Sequence, residues 1–162
     1  MEYTDILYEV KDGVAWLTIN RPEKGNLFRP QTIRELTHAL QRVRDEADQR
    51  VAVLTGAGDR FFCIGGEHDE HDPRLHYGTT MPVMDLYDLL DKHPKPIIAM
   101  VNGFAVGGGN VTALMCDFTL PWPASVLCSG RWGRPWGAST PVSAPGTWRR
   151  PWAASAPRRS GC

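Results

Sequence analysis

The sequence predicts a mixed α/β fold around a mainly parallel sheet, and three observations carry that expectation. Val51 to Thr55 and Ile97 to Val101 are short apolar runs that end in glycine-bearing turns. Other segments place their apolar residues at helical spacing. The two kinds of segment alternate, and alternation of this type is the signature of βαβ units.

Taken in order, Ile6 to Val10 and Val14 to Ile19 flank Lys11-Asp12-Gly13. An Asp-Gly pair suits the positive-φ positions of a tight turn, so the two runs form a β-hairpin. Pro30 fits the first turn of a helix, after which Ile33, Leu36, Leu40, Val43 and Ala47 fall on one face. Arg34, Glu35, Arg44 and Asp45 form the opposite, polar face. The runs at Val51 and Ile97 read as strands buried on both sides. Between them, Pro82 to Lys92 carries Val83, Leu86, Leu89 and Leu90 at helical intervals and stops ahead of Pro94 and Pro96. Cys116-Asp117-Phe118-Thr119 is a further strand, and Met81, Met84 and Leu86 are expected to pack.

At 162 residues, 42% hydrophobic and 22% charged, the chain falls in the ordinary globular class. Met1 to Val10 lacks a basic region followed by an apolar run, and no stretch approaches the ~18 apolar residues of a membrane span. Membrane insertion is therefore not expected. Cys63, Cys116, Cys128 and Cys162 have neither CxxC spacing nor the density of a disulfide framework, which fits buried thiols and a cytoplasmic location.

The composition divides the chain at about residue 120. Residues 1–120 hold 12 Lys and Arg against all 18 acids, whereas residues 121–162 hold six Arg and no acid. The tail also contains five of the six Trp and seven of the 13 Pro. Such a segment sustains neither hydrophobic period, so it is expected to be irregular or disordered. An acidic body with a basic tail keeps open a second class of function, a non-catalytic α/β protein that binds nucleic acid, although the remaining features make nucleic acid an unlikely partner.

Two glycine-bearing segments carry the chemistry. Ile97-Ile98-Ala99-Met100-Val101-Asn102-Gly103-Phe104-Ala105-Val106-Gly107-Gly108-Gly109-Asn110 reads as a buried strand that leads into a glycine turn and an apolar helix start. Backbone N–H groups at such a helix N-terminus can donate to a carbonyl oxygen that gains negative charge. A purely structural strand-to-helix turn explains the segment equally well. Asp59-Arg60-Phe61-Phe62-Cys63-Ile64-Gly65-Gly66-Glu67 follows the first of the two buried strands and supplies a second glycine turn.

Taken with Asn20-Arg21-Pro22, Asn26 and Pro94-Lys95-Pro96, these segments resemble the crotonase superfamily, in order and at similar spacing, over nearly all of residues 1–120. The resemblance implies crotonase-like ββα repeats forming the N-terminal part of a spiral core, an incomplete acyl-CoA-binding unit over residues 1–120 and an acyl-CoA thioester as substrate. It implies no cofactor other than the coenzyme A of the substrate, no metal, and a homotrimer or dimer of trimers for the complete fold. By position it makes the backbone N–H groups of Ile64 and Gly108 an oxyanion hole. Around them it places Asn26, Phe62, Gly65, Gly66, Glu67, His71, Asp72, Tyr77, Gly107, Gly109 and Asn110 as substrate-binding residues.

Hydratases of this superfamily usually carry a Glu at the position of Val111, so the usual pair of carboxylates is not expected here. The combination of Gly65-Gly66-Glu67, His71-Asp72, Tyr77-Gly78 and Gly109-Asn110-Val111 is more similar to the branch containing 2-ketocyclohexanecarboxyl-CoA hydrolase and dihydroxynaphthoyl-CoA synthase. His71-Asp72 and Asn110 favour the ring-opening hydrolase, in which a downstream Ser and Asp are expected to move protons. Enoyl-CoA hydration or isomerisation is the nearest alternative. Glu67-His68-Asp69-Glu70-His71-Asp72 is expected to be a solvated lid over the acyl pocket rather than a zinc site, with His68 and His76 at the surface.

The resemblance stops near Leu120. Trp has a single codon, so Trp132-Gly133 and Trp136-Gly137 each force a glycine codon when reading begins one base earlier. A one-base shift from Leu120 allows A-L-A-S-E-R-A-V-F-G-Q-V-G-P, close to the segment found there in the superfamily. Residues 121–162 are therefore expected to be a frameshifted product, leaving the fold short of the helices that complete the acyl pocket.

Overall fold

A computed structural model of the chain describes residues 2–67, 82–121 and 126–128. Within them, β1 (Ile6–Lys11), β2 (Val14–Ile19), β3 (Val51–Gly56), β5 (Ile97–Val101) and β7 (Phe118–Pro121) form a five-stranded sheet in the order β1-β2-β3-β5-β7. β4 (Phe61–Cys63), β6 (Phe104–Val106) and β8 (Val126–Cys128) form a second sheet of three strands. Only the β1–β2 pair is antiparallel; every other pair runs parallel. Three helices, α1 (Pro30–Asp45), α2 (Pro82–Asp91) and α3 (Gly108–Met115), join the strands. This is the expected α/β fold, with a second sheet built of strands too short to show a period in sequence.

The hairpin turns as its sequence demands: Asp12 and Gly13 both have positive φ, 55° and 80°. α1 buries Ile33, Leu36, Ala39, Leu40 and Val43, and each large aliphatic side chain among them contributes about 1.5–3 kcal/mol. The helix stops at Asp45, where Glu46 turns to extended backbone (φ −86°, ψ 118°), and Lys95 Nζ crosses from the α2–β5 connection to donate to the carbonyls of Val43 and Glu46 at 2.5 and 2.7 Å. A cation at a helix C-terminus satisfies carbonyls that have no intrahelical donor. Ala47 thus lies beyond the helix and is exposed, not on its apolar face.

Glu35 also departs from expectation. It is fully buried rather than part of a polar face, and it gathers the N–H groups of Thr4, Asp5 and Ile6 at 2.8–3.1 Å together with the Thr4 hydroxyl. The helix thereby anchors the entry to β1. Beside it, buried Asp5 accepts two hydrogen bonds from Arg29 and one from Thr32. Burial pushes both carboxyls upward. For Asp5 the Arg29 and Thr32 hydrogen bonds with the Arg29 and Arg21 charges outweigh it, and for Glu35 the hydrogen bonds from Gln31, Thr4 and Asp5 do so. Both end below their ordinary values.

β3 is buried along nearly its whole length, whereas β5 alternates, with Ile98 and Met100 only half-buried. Leu86 and Leu90 of α2 join the core, but Met84 is exposed rather than packed. β7 begins at Phe118, two residues later than the sequence suggested, because Asp117 is occupied in closing the sheet end. Its carboxylate accepts from Ile97 N–H at 2.8 Å and its own N–H donates to Ile97 O at 2.9 Å. In the tail, Pro121 ends β7 and Val126–Cys128 pair with Phe104–Val106; the rest lies outside the described residues. No helix among the described residues is long and apolar enough to cross a membrane.

Because the folded values of Asp5 and Glu35 are lowered, their contribution to stability is complete above the unfolded carboxylate range and is lost as pH falls through the folded values. Glu35→Gln should cost about 1–3 kcal/mol at pH 7 in urea unfolding, since buried N–H groups lose a charged acceptor. The cost should shrink as pH falls below the unfolded carboxylate range towards the lowered Glu35 value, where the wild-type carboxylate is itself being protonated. Equal stability of the two proteins at pH 7 would remove Glu35 from this role.

Candidate functional site

The two glycine segments meet where the second sheet faces the start of α3. β4 delivers Cys63-Ile64-Gly65-Gly66-Glu67, and β6 delivers Val106-Gly107-Gly108-Gly109 into the first turn of α3. At Gly109 a Cβ would overlap the Cys63 carbonyl, so only glycine lets the helix sit against β4. A Cβ on Gly65, at φ 108°, would stand 3.3 Å from Gly108 N. The backbones of the two turns are thus in direct apposition.

The orientation of the N–H groups decides which of them can serve a ligand. Ile64 N–H donates to Gly25 O at 3.2 Å, so it is not open, and the assignment of Ile64 as an oxyanion donor is corrected. Gly65 N–H is directed to Cys63 Sγ at 3.4 Å, and Glu67 N–H donates to Phe28 O at 2.7 Å. Phe28 N–H in turn donates to Gly65 O at 2.8 Å, which makes Phe28 and Gly66 a parallel bridge pair. In such a pair the bridging strand bonds the residues on either side, so Gly66 turns its own N–H away from Phe28. Gly66 is exposed, and among the described residues its N–H has no acceptor. Across from it, Gly108 is the first residue of α3, where N–H groups have no intrahelical acceptor.

The other expected contacts divide sharply. Asn26, at φ 55°, is fully buried and spends its amide on the chain itself. Arg21 N–H donates to its Oδ1 at 3.0 Å, while its Nδ2 donates to Ala57 O and Phe61 O at 3.1 and 2.7 Å. Phe62 is likewise fully buried in the core. Both are therefore framework residues rather than substrate contacts. Gly109 is consumed by packing on Cys63, and Gly65 is buried beneath the exposed Gly66. Glu67 accepts from Arg21 Nη2 at 2.7 Å and lies 3.9 Å from Lys24 Nζ. Gly107 is exposed at the turn, with φ 53° and ψ −124°, and Asn110 is buried in the first turn of α3. His71, Asp72 and Tyr77 lie outside the described residues, as do His68, Asp69, Glu70 and His76. The described residues contain no cluster of three or more His, Cys, Asp or Glu able to hold a metal.

Two further side chains border the turns. Burial pushes the Cys63 thiol up to about 12, against the hydrogen bonds from Gly65 and Phe28, so it is a neutral packing group and not a nucleophile. Tyr87, on α2, donates its hydroxyl to Gly108 O at 3.2 Å. Its role was not visible in the sequence, because the two residues are 21 positions apart and share no motif. Val111, 40% exposed, follows Asn110 on α3.

The model of the enoyl-CoA hydratase/isomerase family matches residues 9–122. Among solved structures, the chain is similar to an enoyl-CoA hydratase from Bacillus anthracis, with 27% identity and a TM-score of 0.66 over 75% of this chain and 49% of that one. A Pseudomonas aeruginosa protein gives 31% identity and a TM-score of 0.71 over 80% of this chain and 57% of that one. An enoyl-CoA hydratase/isomerase from Xanthobacter autotrophicus Py2 gives 27% and 0.68, over 78% and 49%. The chain spans about half the length of the solved structures it matches. A family match that runs from β1 through β7, and so includes both glycine turns, makes the chain a member of the enoyl-CoA hydratase/isomerase (crotonase) family.

Proposed function

We propose that the chain forms the part of an acyl-CoA enzyme that polarises the thioester carbonyl, with Gly66 N–H and Gly108 N–H as the two donors. The observation that carries this reading is the apposition of two glycine turns, each with an N–H group that has no acceptor among the described residues. Donors fixed before the substrate arrives stabilise developing charge without further reorganisation, and one such donor is worth about 10²–10³ in turnover. The positive end of the α3 dipole adds to the same effect. No redox or metal chemistry is required for it, and coenzyme A enters as part of the substrate.

The reaction we favour is hydrolytic carbon-carbon cleavage of a cyclic β-oxoacyl-CoA. Val111 supports it, because an aliphatic side chain stands where a hydratase would need an acid or base. Enoyl-CoA hydration or isomerisation is the second reading, favoured by the description of the matching family and by the Bacillus anthracis relative. Dihydroxynaphthoyl-CoA synthesis is a third possibility within the same branch. The nucleic-acid reading rests on the six Arg of residues 121–162 alone. We attribute that composition to a one-base shift of reading frame near Leu120. Sequencing the gene across the codons for Thr119 to Ser129 tests this directly: an intact frame there defeats it.

Gly66→Pro and Gly108→Pro each delete one donor, and proline is well tolerated at the first position of a helix. The wild-type chain is expected to be retained on immobilised acyl-CoA; each variant is expected to abolish that retention, and in a complete enzyme to lower turnover by ~10²-fold or more. Unaltered retention by both folded variants would dismiss the donor pair. DNA binding that weakens with salt, without retention on acyl-CoA, would instead support the nucleic-acid reading.

Val111→Glu is expected to leave crotonyl-CoA unhydrated, because water addition requires a second positioned group besides that carboxylate. Measurable hydration by the variant would show that a single carboxylate suffices on this scaffold.

A further inference from the structure

Three consecutive glycines form the most pliable stretch of backbone at the site, and an oxyanion donor has to be aimed. Each glycine is held by a different anchor. Gly107 O accepts from Val111 N–H at 3.1 Å, and Gly109 is wedged against Cys63. Gly108 O accepts two hydroxyl hydrogen bonds, from Thr112 Oγ1 at 2.8 Å and from Tyr87 at 3.2 Å. Thr112 belongs to α3 itself and moves with it. Tyr87 belongs to α2, so it is the hydroxyl that ties the glycine turn to the rest of the fold. The Tyr87 oxygen would also lie only 3.3 Å from a Cβ on Gly108, which places it against the Gly108 backbone on the side of its Cα substituent.

We propose that Tyr87 is a positioning residue for the reaction: by holding the Gly108 carbonyl from α2, it fixes the direction in which Gly108 N–H points at the thioester oxygen. The proposal rests on the acyl-CoA reading above. A phenol suits this task because its ring is half-buried, its reach is short and rigid, and it remains a donor at neutral pH. Burial pushes the Tyr87 hydroxyl up, against a hydrogen bond with Thr112, so it keeps its proton. Tyr87 touches neither the donor N–H nor the acyl carbonyl; it acts through the glycine backbone.

The experiment uses the whole 162-residue chain and para-dimethylaminocinnamoyl-CoA, whose absorbance shifts to the red when its thioester carbonyl is polarised. Wild type is expected to bind it with a red shift. Tyr87→Phe keeps the ring in place and is expected to bind with an affinity reduced by roughly fivefold at most, the scale of one lost hydrogen bond, but with a markedly smaller red shift. A purely structural role would alter melting temperature and leave the shift of the bound probe intact. Tyr87→Met keeps an apolar side chain of similar reach without a hydroxyl and serves if Tyr87→Phe does not fold; it too should reduce the shift. A full red shift in whichever of these variants folds would overturn the proposal while the acyl-CoA reading survives. Failure of the wild-type chain to bind the probe would bring down that reading, and the positioning role with it.

Discussion

The close approach of Gly109 to the Cys63 carbonyl is the constraint on which the site depends. It sets α3 directly on β4, and from that placement Gly65 comes to lie beside Gly108 N. A residue with any side chain at position 109 would push the helix outward and separate the two turns. The strands of the second sheet have only three residues each, enough to carry the turns to one another and no more.

Around this contact the protein builds its rigidity from buried charge as well as from packing. Glu35 gathers the N–H groups at the start of β1, and Asp5, on the same stretch of chain, binds Arg29 and Thr32 at the start of α1. Arg21 lies 4.0 Å from Asp5 and donates to Glu67, one residue beyond the exposed Gly66. A set of ion pairs therefore runs from the residue before β1 to the Gly65-Gly66 turn, hydrogen-bonded at each step except the 4.0 Å approach of Arg21 to Asp5. Each buried carboxylate in it is satisfied by several donors, which is the condition under which buried charge stabilises a fold.

Much of the fold was legible in the sequence because its signals are local. The Asp12-Gly13 turn, the α1 apolar face and the positions of β3 and β5 follow from residue type and period alone, although only β3 is buried along nearly its whole length. Glu35 was misread for the same reason: helical periodicity places it opposite the core, and only the arrival of the N-terminal segment over α1 buries it. The resemblance located both glycine turns but not the direction of each N–H. Strand alternation alone would point the N–H groups of Ile64 and Gly66 the same way, but Gly65, at φ 108°, turns the chain between them, so Ile64 is bonded to Gly25 while Gly66 N–H has no acceptor among the described residues. Asn26 and Phe62 were expected to touch substrate because a motif gives proximity in sequence and says nothing of burial. Tyr87 was invisible altogether, since its contact with Gly108 exists only once α2 packs on α3.

The protonation of Cys63 has one further consequence. A thiol pushed up to about 12 by burial keeps its proton at neutral pH, and thiolate is the species that peroxides and alkylating agents attack. The sulfur sits two residues from Gly65, yet it is chemically silent there. Burial and protonation together should make this turn resist oxidants and electrophiles that capture exposed thiolates.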